Sequence, residues 1–261
     1  MAKKSSKKGS IQGVWKLYGR GTYKENIDKM REEDFVPAIP ATTSESILIA
    51  SKYFSRLESY LFKNSVLQAG DVVITQEGVF TNTRETDESE LKRKLANARK
   101  VNGIYLIDND VAFASFETFK QGKVQTSEEF AKSGLARALE HTTERIAPNL
   151  KEISAYEIYD EGGEYVTNHR KGVLVSNFKV GNKPIVSVVG INTDDDPVGH
   201  GHRFEVRVMR DGSLCSHGFA LGKRCAEGRY AEFHRQEMKL DKSLLEAFSS
   251  GRSGVYSVGI W

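Results

Sequence analysis

Apolar positions along this chain recur at two spacings, and the change from one to the other divides it. Between residues 42 and 146 the spacing is mainly helical. Thr42 and Glu45 form a capping-box pattern, and Ile47, Ala50, Phe54, Leu57 and Leu61 follow at three- and four-residue steps, which predicts a helix. Residues 66–83 predict two strands about a Glu77-Gly78 turn. A short helix over 87–101 starts at Asp87, with Leu91, Leu95 and Ala98 inward. Ile104 to Ile107 and Val111 to Phe113 flank the polar turn Asp108-Asn109-Asp110 and predict a hairpin. Thr126 and Glu129 open a helix over 127–146 whose stripe is Ala131, Leu135, Ala138, Leu139, Thr142 and Ile146, with Pro148 as its stop.

From 152 to 221 the pattern turns to strands, at 153–159, 172–180, 185–191, 202–209 and 214–221. Helical spacing returns at 228–249, and residues 255–260 read as a last strand. Strands cluster instead of alternating regularly with helices, so the expected class is α+β, with a mostly antiparallel sheet and several packed helices. No period of 20–50 residues repeats, which argues against solenoids and propellers.

Before this region stands a segment of another kind. Residues 1–10 are Lys, Ser and Gly with almost no apolar side chain, and 11–41 mix Trp15, Leu17, Tyr18 and Tyr23 with glycines, then Pro37 and Pro40. The expectation is an extended basic arm over 1–41 and one α+β domain over 42–261, with a helix-rich and a strand-rich part meeting near 150. Charge sharpens the contrast. Seven of the 38 Lys and Arg lie in residues 1–24, which hold no acid; the other 31 face 35 Asp and Glu. A slightly acidic body thus follows a basic arm, and contact with a polyanion through simple charge falls to Lys3, Lys4, Lys7 and Lys8. Four neutralised phosphates would give a salt slope of about −3.6, which is weak and independent of base sequence.

Composition removes other classes. At 39% hydrophobic residues with 13 Phe and 10 Tyr, the chain is neither disordered nor fibrous. Apolar runs of four or five residues are far short of the roughly 20 that span a bilayer, so no membrane association is expected. Two cysteines, Cys215 and Cys225, and no N-glycosylation triplet fit a reducing, cytoplasmic setting. No phosphate-binding glycine loop, dinucleotide fingerprint, nucleophile elbow, zinc-protease helix or paired C-x-x-C is present.

Three of the six histidines lie in residues 200–217. His200-Gly201-His202, then Glu205, then Gly212 is similar to the metal motif of cupin barrels, and Cys215-Ser216-His217 invites a zinc reading. A two-residue turn at Asp211-Gly212 would pair Val206 with His217 and Val208 with Cys215. His202, Phe204, Val206 and Val208 would then face the core, and Glu205 the water. On that register His202 lies roughly 13 Å along the sheet from His217, too far to share one ion. What survives is a mixed oxygen and nitrogen set, Asp194, Asp196, His200 and His202, able to hold a divalent metal in a hydrolase or nuclease. His141 beside Glu140 and Glu144, and His234 with Glu237, read as polar helix faces.

No catalytic constellation is complete, so the leading expectation is a non-enzymatic assembly or structural subunit without a cofactor. Its arm would touch nucleic acid or a neighbouring subunit, and it would self-associate. A basic leader, a compact body and an apolar last strand ending on Trp261 form a layout shared with virion and shell proteins, by analogy of architecture alone.

Overall fold

In the computed structural model, the described residues are 13–37, 66–108, 111–155, 172–178, 180–195, 202–210, 218–224 and 256–260. They form one α+β sheet of mostly antiparallel strands with helices on both of its faces. The strands are β1 (Gly13–Gly21), β2 (Val36–Pro37), β3 (Leu67–Ile74), β4 (Gly78–Thr81), β5 (Arg99–Val101), β6 (Ile104–Leu106), β7 (Ala112–Ser115), β8 (Val124–Gln125), β9 (Val173–Val175), β10 (Ile185–Asp195), β11 (His202–Arg210), β12 (Gly218–Arg224) and β13 (Tyr256–Ile260). The helices are α1 (Tyr23–Glu32), α2 (Glu88–Ala96), α3 (Ser127–Lys132), α4 (Gly134–Leu139) and α5 (Pro148–Ala155). The main path runs β5-β6-β7-β4-β3-β10-β11-β9-β8, and β12 leaves it at β3 to carry β1, β2 and, through β1, β13.

The alternation of β3, β10 and β11 divides their side chains between two layers. Val72, Ile74, Val189, Ile191, Phe204 and Val206 meet Phe130, Leu135, Leu139, Leu150 and Ile153 of α3, α4 and α5. On the reverse face Val188, Met209 and Ala220 meet Tyr23, Ile27 and Met30 of α1, while Val73 and Phe80 meet Leu91 of α2. A sheet covered on both faces hides even its polar positions, and Glu205 is only 6% exposed. The expectation that Glu205 faces water is thereby corrected.

The strand pair 66–83 and the 104–113 hairpin form as the pattern predicts, but the helix expected over 87–101 ends at Ala96, and Arg99–Val101 is strand β5 paired with β6. Asp87 caps α2 by accepting the Ser89 and Glu90 amides. The helix expected over 127–146 is instead two. Ser133 takes an extended backbone, ends α3, and caps α4 through its hydroxyl on the Ala136 amide at 3.2 Å. Pro148 opens α5 where a stop was expected, at the one helical position where a missing N–H costs nothing. The strand expected over 153–159 is helix as far as Ala155, and its remainder lies outside the described residues.

Residues 1–12 and 38–41 of the expected arm lie outside the described residues, as do the helices expected at 42–61 and 228–249. The described part, 13–37, is strand, helix and strand. Thr22 and Glu25 form a full capping box for α1, with the Glu25 amide 3.2 Å from the Thr22 hydroxyl and the Thr22 amide 2.7 Å from the Glu25 carboxylate.

The predicted 202–221 hairpin does not form. β11 has β10 along one edge and β9 along the other at 204–206, so no edge remains there for β12. β12 pairs instead with β1, β2 and β3. The pairing of Val206 is with Ile191 and Val175, and Cys215 and His217 lie outside the described residues.

Candidate functional site

Strand β1 carries the chain out of the lysine-rich segment and into the sheet between β12 and β13. Its register sets Gly13 opposite Ile260, Trp15 opposite Val258 and Lys16 opposite Ser257 on one side, with Trp15 opposite Lys223 on the other. Gly13, the first described residue, thus stands beside the end of β13, and Lys3, Lys4, Lys7 and Lys8 lie outside the described residues. Among the described residues β13 pairs with β1 alone, and its sequence, Tyr256-Ser257-Val258-Gly259-Ile260, has no charge and no proline.

The expected metal set falls on the β10–β11 ladder. Asp195 stands opposite His202, and Asp194 opposite Arg203. Asp196 and His200 belong to the connection at 196–201, outside the described residues. The register thus brings His202 to Asp195 and sets Asp194 one step away. Further in, Glu205 forms an ion pair with Arg207, its Oε2 lying 2.6 Å from a guanidinium nitrogen.

Under α1 lies a buried amide network. The Asn26 side-chain amide donates to the Gln68 carbonyl at 2.8 Å, and Gln68 donates to the main-chain oxygen of Gly21 at 3.1 Å. Beside it, burial drives the Tyr23 phenol well above its usual range; the Asp71 carboxylate adds to the rise and Arg84 opposes it. Asp71 is itself held by Arg84 at 2.9 Å.

The second buried titratable cluster joins α4 to α5. Burial pushes the Glu140 carboxyl up to about 7, against the lowering effect of the Leu150 and Asn149 amides and with a further rise from the Glu144 charge. Arg137 donates to the main-chain oxygens of Asn102, Lys132 and Ser133, and burial lowers its pKa. The bond to Asn102 ties α4 to the β5–β6 turn. His141 takes a left-handed backbone, φ 48°, just after α4. Spacing alone places Glu140 and His141 on a polar helix face; nothing in it shows that a carboxylate will cap a helix that begins eight positions later.

A shallow cleft of about 140 Å³ lies between α2, the β3–β4 turn and residues 182–184, with Phe80, Leu91 and Leu95 as its floor. Glu88, Lys92, Glu77 and Lys183 line its rim, so neither sign of charge prevails. Among the described residues no three His, Cys, Asp or Glu side chains gather as metal ligands, and no helix is long and apolar enough to cross a membrane. No family model, curated protein or solved structure matches this chain.

Proposed function

We propose that this protein is a non-enzymatic assembly subunit that joins copies of itself through β13, with the Lys3, Lys4, Lys7 and Lys8 segment contacting nucleic acid beside that junction. The observation behind this reading is the character of β13. An uncharged, proline-free strand with one sheet neighbour among the described residues presents a row of backbone donors and acceptors, and such a row is a template for another strand. A second copy of β13 satisfies it by antiparallel pairing about a two-fold axis. The basic segment, rooted opposite Ile260, then doubles at the junction and supplies two sets of lysines to one polyanion.

Substitution tests this better than truncation, because deleting residues 1–24 would also remove β1 from between β12 and β13. Ser257→Glu places a charge on the edge while standing opposite Lys16, a pairing the sheet tolerates. Sedimentation of the wild type should show a dimer or larger species, and Ser257→Glu a monomer. Replacing the four lysines with Gln should leave sedimentation unchanged and remove salt-sensitive retention on DNA. A wild type that sediments as a monomer at every concentration overturns the assembly reading. DNA retention that survives the four substitutions overturns the role of the lysines.

A further inference from the structure

We propose that Asn102 is a self-modification site, at which the Arg137 guanidinium promotes deamidation by the nitrogen of Gly103. The inference is independent of self-association through β13 and of the lysine segment. Asn102 is the one asparagine in the chain that is followed by glycine. The two residues form the β5–β6 turn. Val101 stands opposite Ile104, and the residues between them take positive φ, 49° at Asn102 and 90° at Gly103, as a tight hairpin turn of this kind requires. Gly103 has no side chain to shield its nitrogen, and Asn102 is exposed, so water reaches the turn.

What sets this turn apart from an ordinary Asn-Gly pair is Arg137. Its Nη1 donates to the main-chain oxygen of Asn102. That oxygen belongs to the peptide bond whose nitrogen is Gly103's own. A permanent cation on it draws electron density out of the amide, and stabilises the anion formed when the Gly103 N–H gives up its proton. Loss of that proton is what makes the nitrogen a nucleophile. The guanidinium also passes close to Gly103 itself, since a methyl group built there would lie 3.9 Å from Nη2. On the other side the Asn102 Nδ2 donates to the main-chain oxygen of Thr143 at 3.0 Å, which fixes the side-chain amide beside the turn.

The step balances with water as the only co-reactant. The Gly103 nitrogen bonds to the side-chain carbonyl carbon of Asn102. The bond from that carbon to Nδ2 breaks, and Nδ2 leaves as ammonia with the proton that Gly103 gave up. Water then opens the cyclic imide at either carbonyl, giving Asp or its β-linked isomer. Either product has a carboxylate in place of the amide that bonds Thr143, and the β-linked one also lengthens the backbone of a turn that sets the β5–β6 register.

The test incubates the full chain at mildly alkaline pH and follows each asparagine by peptide mapping and mass spectrometry. Asn102 should convert to Asp and the β-linked isomer ahead of every other asparagine. Asn82 is the internal control, because it too has a positive φ, 56°, but is followed by threonine. R137Q should slow conversion of the folded chain roughly three- to tenfold, the small end of what a placed donor contributes, because the turn is exposed. R137K, which keeps a cation at that position and places less demand on folding, should fall between R137Q and the wild type. In strong urea all three chains should convert at one rate. The direction of the change separates activation from mere anchoring, since a variant that only loosened the turn would convert faster. A wild type unmodified at Asn102, or Arg137 variants that convert as fast as the wild type or faster when folded, overturns the proposal.

Discussion

The carboxylate of Glu140, at the end of α4, accepts the main-chain amide of Leu150 in the first turn of α5, so the second helix is capped by the first. Neither group has much access to water, and Glu140 is 7% exposed. The amides favour the charged form and burial disfavours it; burial is the larger effect, and the carboxyl stays protonated up to about pH 7.

A pH dependence follows, with a definite sign. The folded pKa, about 7, lies above the ordinary 4.5, so between those values the folded chain holds a proton that the unfolded chain has lost. The stabilisation is complete below the unfolded pKa and is lost as pH rises through 7. From pH 5 to pH 8 the Glu140 contribution should fall by roughly 2–3 kcal/mol, at 1.36 kcal/mol per pKa unit. Glu140→Gln, which cannot ionise and still offers an oxygen to the Leu150 amide, should flatten that part of the curve. Urea unfolding of both proteins at pH 5, 6, 7 and 8 reads the difference. Parallel curves would show that the carboxyl does not titrate there.

The break between α3 and α4 should be costly to repair. A methyl group at Gly134 would lie 2.0 Å from the Thr118 hydroxyl oxygen, which itself donates to the Ser115 carbonyl at 2.6 Å. Gly134→Ala should therefore destabilise by about 1–3 kcal/mol despite the better helix propensity of alanine. Ser133→Ala removes only the cap and should cost about 1 kcal/mol. Thermal or urea unfolding orders the two. An alanine at 134 that stabilises would mean that the 116–118 turn can step aside freely.

The Asn26–Gln68 pair gives a test of the second layer. Both side chains are almost wholly buried, and the pair joins α1 to β3. Asn26→Leu removes the Asn26 donor from the Gln68 carbonyl, and should cost roughly 1–3 kcal/mol. Adding Gln68→Leu should recover part of that loss, less whatever follows from leaving the Gly21 oxygen without its donor. A double-mutant cycle measures the recovery. Strict additivity would show that the two amides do not act as a unit.

What could be read from residue order, and what could not, divides along physical lines. Asp87, the Thr126–Glu129 box and the Glu77-Gly78 turn act within a few residues, so spacing alone finds them. Spacing does not reveal the break at Ser133, because the stripe Ala131, Leu135, Ala138, Leu139 stays in phase across a broken helix. The Asp211-Gly212 hairpin failed for a different reason: local turn chemistry competes with partners far away in sequence, and β9 and β10 already hold both edges of β11. The same non-local pairing decides that His202 faces Asp195, which no motif spacing contains. Of the candidate site residues, Asp194 and His202 take up ladder positions, while Lys3, Lys4, Lys7, Lys8, Asp196 and His200 lie outside the described residues.

The capping box at Thr22 and Glu25 has the same local form as the others, yet it sits among glycines and tyrosines that suggested extended chain. Its consequence reaches further than α1. Tyr23, Ile27 and Met30 cover the sheet face formed by Val188, Met209 and Ala220, and Tyr18 of β1 bonds Glu33 just past the helix at 2.8 Å. If residues 13–37 fold as part of the body, Thr22→Ala should lower global stability by about 1 kcal/mol. Hydrogen exchange should then accelerate together in α1, in β1 and in the β12 residues paired with it. If that segment were an appendage, exchange would quicken in α1 alone and the global unfolding midpoint would not move. The measurement therefore decides whether the second core layer is integral to the fold, and with it whether β1 is a firm enough partner for β13 to present an edge at all.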